Sequence, residues 1–376
     1  MNKKLPYLLL VVVQLFACSS EAKFSEKAES TQLPAIQKIH ANGIWLSKRE
    51  LAVLPTTGRA WKNLKAVADK LHLAQAKGGH GSVHDTQVMA AALVAARLND
   101  QKRLQEVAEH IIKAVDNKVE SDGNSLSLSR TVTGYILAAD LIDLKSLDAE
   151  KDQKFRKWLE YVVYKKRLDK KTQIQKHEIR GNNHGTQAGV VRIAAALYLG
   201  KLDDLNRAAA VFKGWLGDRK SYSGFKWGDL CWQADPKNPV GILPKGTKMR
   251  VVGDMRDVDG VQPDDQRRAG CPDSEISWPP RTDVHVWGGL QGAVGQAYLL
   301  SRAGFDSWSW GDQAILRAVS WQQDPQRGNA PAKGDDRWIL PLIDRVYGTN
   351  FWNGKPVKFG KQVGWTDWTH GTKALN

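Results

Sequence analysis

The chain is short of acid, of cysteine and of long apolar runs. Asp and Glu total 40 against 55 Lys and Arg, a formal net charge of +15. Such a balance excludes a preference for cationic partners and favours a polyanion. Beyond Cys18 the only cysteines are Cys231 and Cys271. In an oxidising compartment their spacing leaves both a disulfide and two free thiols open. The one long apolar run, Leu5 to Ala17, is too short to cross a bilayer as a mature helix. No Gly-rich phosphate loop and no compact nucleic-acid motif occurs, so no nucleotide or nucleic-acid partner is expected. No sequence motif repeats, which excludes the regular repeat families.

What is present is a soluble, tryptophan-rich body. Hydrophobic residues make up 42% and charged residues 25%, values expected of a folded soluble chain. Fifteen Trp stand against eight Phe and eight Tyr. Indoles fill cores and also stack on sugar rings. Trp227, Trp232, Trp287 and Trp365 are the candidates for the second use.

The start reads as a processing segment. Lys3 and Lys4 precede the apolar run, and Leu15-Phe16-Ala17-Cys18 resembles a bacterial lipobox. The expectation is a signal over 1–17, lipidation of Cys18, a polar tether over 18–40, and a folded body over 41–376. Ser19 resembles an outer-membrane destination, so a periplasm-facing outer-membrane lipoprotein is expected. Removing Lys3 and Lys4 takes the formal charge of +15 to +13.

From Trp61 onward the period is helical. Leu64, Val67, Ala68 and Leu71 share one face, as do Leu104, Val107, Ala108, Ile111 and Ile112. Apolar stretches over 84–98, 125–144, 188–199 and 284–302 read as buried helices. They come in consecutive pairs joined by short polar turns, the pattern of an all-α, (α/α) toroid or solenoid. Residues 218–280 break it. That stretch is rich in Gly, Pro, Asp and Trp, and its length demands a function or short strands. It is expected to line or roof a cleft.

One stretch stands out: Arg180-Gly181-Asn182-Asn183-His184-Gly185-Thr186-Gln187. It opens the apolar run of 188–199. Asparagines there act as helix caps. Capping does not account for His184, an imidazole placed where free N–H groups and the dipole favour an anion. His80 and His84, with Asp85, have a metal-like spacing only on a continuous helix. Gly78, Gly79 and Gly81 make that segment a loop, and no metal is expected. Asp264 and Asp265 are adjacent and so do not face one substrate from two sides, as a glycosidase requires.

Asn182-Asn183-His184 resembles the Asn-Asn-His motif of the periplasmic alginate lyases of polysaccharide lyase family five. Asp259-Gly260-Val261-Gln262-Pro263-Asp264-Asp265-Gln266-Arg267-Arg268 resembles that family's Asp-Gly-x-x-Pro-x-acidic-x-x-Arg stretch. Val286-Trp287-Gly288-Gly289-Leu290-Gln291 is similar to its helix ending in Leu-Gln. The resemblance covers about residues 183–302. It implies a toroid that binds an anionic uronate polysaccharide, alginate or glucuronan-like, and cuts it by β-elimination without a cofactor. It implies that Asn183 and Arg268 bind the carboxylate at the cleavage point and that His184 takes the C5 proton. The family's tyrosine acid does not carry over, because His285 stands at its place. Tyr222 is the reserve acid. Arg130, Trp227 and Arg267 are further substrate-binding candidates, with Arg267 also expected to pair with a neighbouring acid. Two other readings remain: a non-catalytic binding lipoprotein, and a glycoside hydrolase on a similar toroid. A monomer is expected.

Overall fold

The computed structural model describes residues 43–272, 277–281, 284–328, 330–357, 359–360 and 363–371. The proposed signal, Cys18 and most of the tether lie outside these residues. Helices α1 (Lys48–Val53) and α2 (Gly58–Ala68) lead into α3 (His84–Leu98), α4 (Gln101–Asp116), α5 (Ser125–Leu141), α6 (Leu144–Leu147) and α7 (Ala149–Leu159). Then come α8 (Gln173–Ile179), α9 (Asn183–Leu199) and α10 (Leu202–Trp215). After the irregular region are α11 (Pro263–Gln266), α12 (Val284–Arg302), α13 (Trp310–Gln323), α14 (Leu340–Tyr347) and α15 (Thr366–Thr369). The described chain is thus mostly helical.

The pairing follows from local chemistry. Helix α3 is apolar on every side and buried through most of its length. Asn99 ends it in the left-handed conformation, φ 52°, which asparagine tolerates better than most residues. Asp100 then caps α4 by accepting the Arg103 N–H at 3.1 Å. Helix α4 buries Leu104, Val107, Ala108, Ile111 and Ile112 along one stripe, as the period predicts. Helix α9 ends the same way at Gly200, φ 75°, and Lys201 leads into α10.

Helices α9 and α12 lie against each other in the interior. Glycines let them approach: a Cβ on Gly292 would overlap Thr186, and one on Gly189 would overlap Gln296. Gln187 donates to the Gly288 carbonyl at 2.7 Å and Gln296 to that of Thr186 at 3.0 Å, so both amide groups donate across this contact. Helix α5 packs on α9 and on α3.

The region after α10 is held by short elements. Strands β1 (Lys248–Val251) and β2 (Asp254–Asp257) pair antiparallel, closed by Val252 and Gly253 at φ 50° and 85°. Trp232, Val240, Leu243, Val251, Val258, Val261 and Trp321 form a small second core. Cys231 and Cys271 are disulfide-linked, their Cα atoms 5.3 Å apart.

The segments around residues 45–61 and 298–370 are stitched together. Tyr298 donates its hydroxyl to the Trp45 carbonyl at 2.7 Å and meets His370 Nε2 at 2.8 Å. The Trp368 indole donates to the Pro55 carbonyl at 2.8 Å and packs on Trp61. Among the described residues, no helix is long and apolar enough to cross a membrane.

Candidate active site

Asn182 caps α9, its side chain accepting the His184 N–H at 3.1 Å. This divides the two asparagines: Asn182 serves the helix, and the Asn183 side chain remains for other work. The backbone N–H of Asn183 is held from the far side by Asp265 Oδ1 at 3.1 Å. Asn183 is buried, and its Oδ1 has no hydrogen-bond partner among the described residues.

The Asn183 amide nitrogen and Arg130 Nη2 stand 3.6 and 3.9 Å from where a Cβ on Gly288 would lie. A residue on α5, one on α9 and the bare first turns of α12 therefore converge. His285 lies three residues before Gly288 and shares its helix face. It is half-buried.

His184 is half-buried and ringed by positive charge. Burial is the main cause that lowers its pKa to about 4, and Lys176, Arg268, Arg180 and Arg130 push in the same direction. Its imidazole is neutral at ordinary pH. Lys176 is itself buried and bound to Asp169 at 2.7 Å and to the Ser125 hydroxyl. Burial brings Arg130 down to about 10 against the opposing pull of Asp335 and Asp336, so it stays charged. Arg268 is half-buried and has no ion pair among the described residues. Arg267 differs: its Nε donates to Asp264 Oδ1 at 2.9 Å, the salt bridge anticipated for it. Asp264 also accepts the Gly228 N–H at 2.8 Å, tying the Trp227 segment to the Arg268 segment. Trp227 is half-buried with its ring against Gly181, next to Asn182.

Arg130 also lines a cavity of about 370 Å³, together with His80, Asp85, Ser127, Asp335 and Phe359. Burial raises Asp85 to about 8, so this wall carries a neutral acid. A larger recess of about 850 Å³ is lined by Lys48, Asp140, Lys145 and Arg156. It contains none of the groups around His184.

The tyrosines are engaged elsewhere. Tyr222 donates to the Glu178 carbonyl at 2.6 Å and lies under Arg207, a structural use of its hydroxyl. Tyr135 is fully buried with its hydroxyl 2.6 Å from His84 Nδ1. Tyr164 and Tyr198 donate to Asp204 and Asp152, and Tyr347 to the Trp308 carbonyl. Tyr161 is exposed beneath Lys166. His84 also contacts His110 at 3.0 Å, so its ring is not paired with His80. Trp232, Trp287 and Trp365 are core residues; of the four candidate platforms only Trp227 reaches an accessible surface.

Four acids of the irregular region are bound locally. Asp235 binds Asn238, Asp254 binds Arg256, Asp257 binds Arg327 and Asp259 binds Arg317. Sequence reasoning did not anticipate Lys176 or Asp335 and Asp336, the acids facing Arg130. Nothing in their local spacing marks them, because the elements that carry them meet only in the fold.

A neutral imidazole thus stands among several cations, next in sequence to the Asn183 amide. The alginate lyase family model matches residues 127–220, which include Arg130, Asn183 and His184. The match supports an alginate lyase-like polysaccharide lyase, with an anionic polysaccharide as its substrate. Arg268 and His285 lie beyond the matched residues. No curated protein matches the chain.

Proposed function

We propose that the protein cuts a polyuronate, alginate or glucuronan-like, by β-elimination between C5 and C4. The observation that carries this reading is His184: neutral, adjacent to the Asn183 amide, and set in the field of Arg268, Arg180, Lys176 and Arg130. In the reaction, charge from the breaking C5–H bond spreads onto the C6 carboxylate. Asn183 and Arg268 stabilise it there as donors. One such donor is worth about 3 kcal/mol of barrier. His184 takes the C5 proton, the electron pair forms the C4–C5 double bond, and the C4–O4 bond breaks. His285 gives a proton to O4. The engagement of the described tyrosines supports histidine rather than phenol in that role. Trp227 stacks on a neighbouring sugar, and Arg130 holds an adjacent carboxylate.

The same reading has the paired helices forming an (α/α) toroid whose cleft is roofed by residues 218–280. Cys18 tethers it to the outer membrane, facing the periplasm.

The test is a panel of purified polyuronates followed by ultraviolet absorbance. Elimination creates an absorbing C4–C5 double bond, and at least one polymer should yield it. Reducing ends without that absorbance would mean hydrolysis. Binding without either product would mean a non-catalytic lipoprotein.

A further inference from the structure

Asp265 lies on α11, wedged between the starts of α9 and α12. Its Oδ1 accepts the Asn183 N–H. Its Oδ2 has no hydrogen-bond partner among the described residues, and neither has Gln262 Oε1. Both oxygens face Gly289: a Cβ there would overlap Asp265 Oδ2 and stand 2.9 Å from Gln262 Oε1. Two bare acceptors thus share one buried spot. Rotating the Gln262 amide would put a donor here only by moving the conflict elsewhere. Its Nε2 donates to the Val286 carbonyl at 3.2 Å, and rotation would set two oxygens together there instead. A buried, unsatisfied acceptor costs about 1–3 kcal/mol. One proton on Asp265 Oδ2 would supply the donor this spot lacks.

We propose that Asp265 is a positioning residue that works as the neutral acid, its Oδ2–H donated to Gln262 Oε1, leaving the charge of Arg268 for the substrate carboxylate. This rests on the lyase reading for the role of Arg268; the proton itself does not. The acidic pair then divides its labour. Asp264 is bound to Arg267 and to the Gly228 N–H. Asp265 stays uncharged, orients Asn183 and does not compete for Arg268.

The groups that act on Asp265 are Asp264, Arg267 and Arg268 on its own segment and the Asn183 N–H on α9. Burial is the largest influence and raises Asp265 to about 8, with Asp264 adding to it and the Asn183 N–H, Arg268 and Arg267 opposing. A folded pKa above the unfolded one means the native state holds a proton that the unfolded chain has lost. The resulting stabilisation is complete below about pH 4 and disappears as pH rises through about 8.

Three measurements test this. The first compares thermal unfolding of wild type and Asp265→Asn from pH 4 to 9. The asparagine amide imitates the neutral acid without titrating. Wild type should lose stability relative to the variant between pH 4 and 8. Parallel curves would mean an ionised Asp265 and overturn the proposal, whether or not the protein is a lyase. The second is turnover on the polyuronate found active: Asp265→Ala should lower kcat tenfold or more, and Asp265→Asn should restore most of it. The third is KM at pH 7. It should be unchanged in Asp265→Asn. A KM several-fold lower would mean that the native carboxylate had been neutralising Arg268, and would also overturn the proposal.

Discussion

The side chains of Arg130 and Asn183, 53 residues apart in sequence, are aimed at one bare point on α12, Gly288. Any side chain at 288 would stand in the space between the two donors. One residue further on, Gly289 has a different reason to be glycine, since a Cβ there meets Asp265 and Gln262 inside the protein.

These two glycines should respond differently to alanine. At Gly288 the added Cβ is in ordinary van der Waals contact, so Gly288→Ala should fold normally and impair substrate binding. Gly289→Ala should destabilise by about 1–3 kcal/mol through overpacking. Urea melts of both variants, with KM for the first, separate the two effects. Equal stabilities would contradict the packing described.

Removing the proposed acid should remove most of the rate. His285→Ala is expected to lower kcat by about 10²-fold or more, the usual worth of a positioned proton donor. His285→Tyr should recover part of it, because a phenol also donates. Near-normal elimination by His285→Ala would move the acid elsewhere.

The base sets the acid side of the pH profile. His184 must be neutral to act, so kcat/KM should rise with pH through about 4. Bound polyuronate offsets the cations that hold its pKa down. The limb in kcat should therefore lie at higher pH than the limb in kcat/KM. Salt should narrow that gap and weaken substrate affinity together. Coincident limbs at low salt would argue against this electrostatic picture.

The disulfide should matter to both stability and rate. Cys271 lies three residues beyond Arg268, and its bridge to Cys231 closes 40 residues of chain. Reduction, or a Cys231→Ser/Cys271→Ser variant, should cost about 2–4 kcal/mol. At temperatures where the reduced protein remains folded, kcat/KM should still fall as Arg268 loses its fixed position. Unchanged kinetics after confirmed reduction would separate the bridge from the site.

The helices were legible because their signals are local. Leu104 to Ile112 carry the period, and Asn99 and Gly200 carry the stops. The start of α9 was legible for the same reason, although its asparagines divide into a cap and a donor only in three dimensions. Other features depend on distance between remote segments. The spacing of Cys231 and Cys271 does not give a 5.3 Å approach. The Asp264-Asp265 pair reads as two equal acids, yet one meets Arg267 and the other is buried against α9 and Gly289. Tyr222 sits in a promising loop, and only the Glu178 carbonyl shows where its hydroxyl goes.

The stitching of Trp45 and Pro55 to Tyr298, His370 and Trp368 has a consequence for the order of assembly. During synthesis, residues 45–61 leave the ribosome long before residues 298–370 exist. In that interval Trp45 lacks Tyr298 and His370, and Trp61 lacks Trp368. The middle helices can pair as they emerge, but this closure joins sites more than 240 residues apart and must come late. Until then the nascent chain carries exposed indoles, a state prone to aggregation. Variants that weaken the His370–Tyr298–Trp45 contact should therefore reduce the yield of folded protein more than the stability of what does fold.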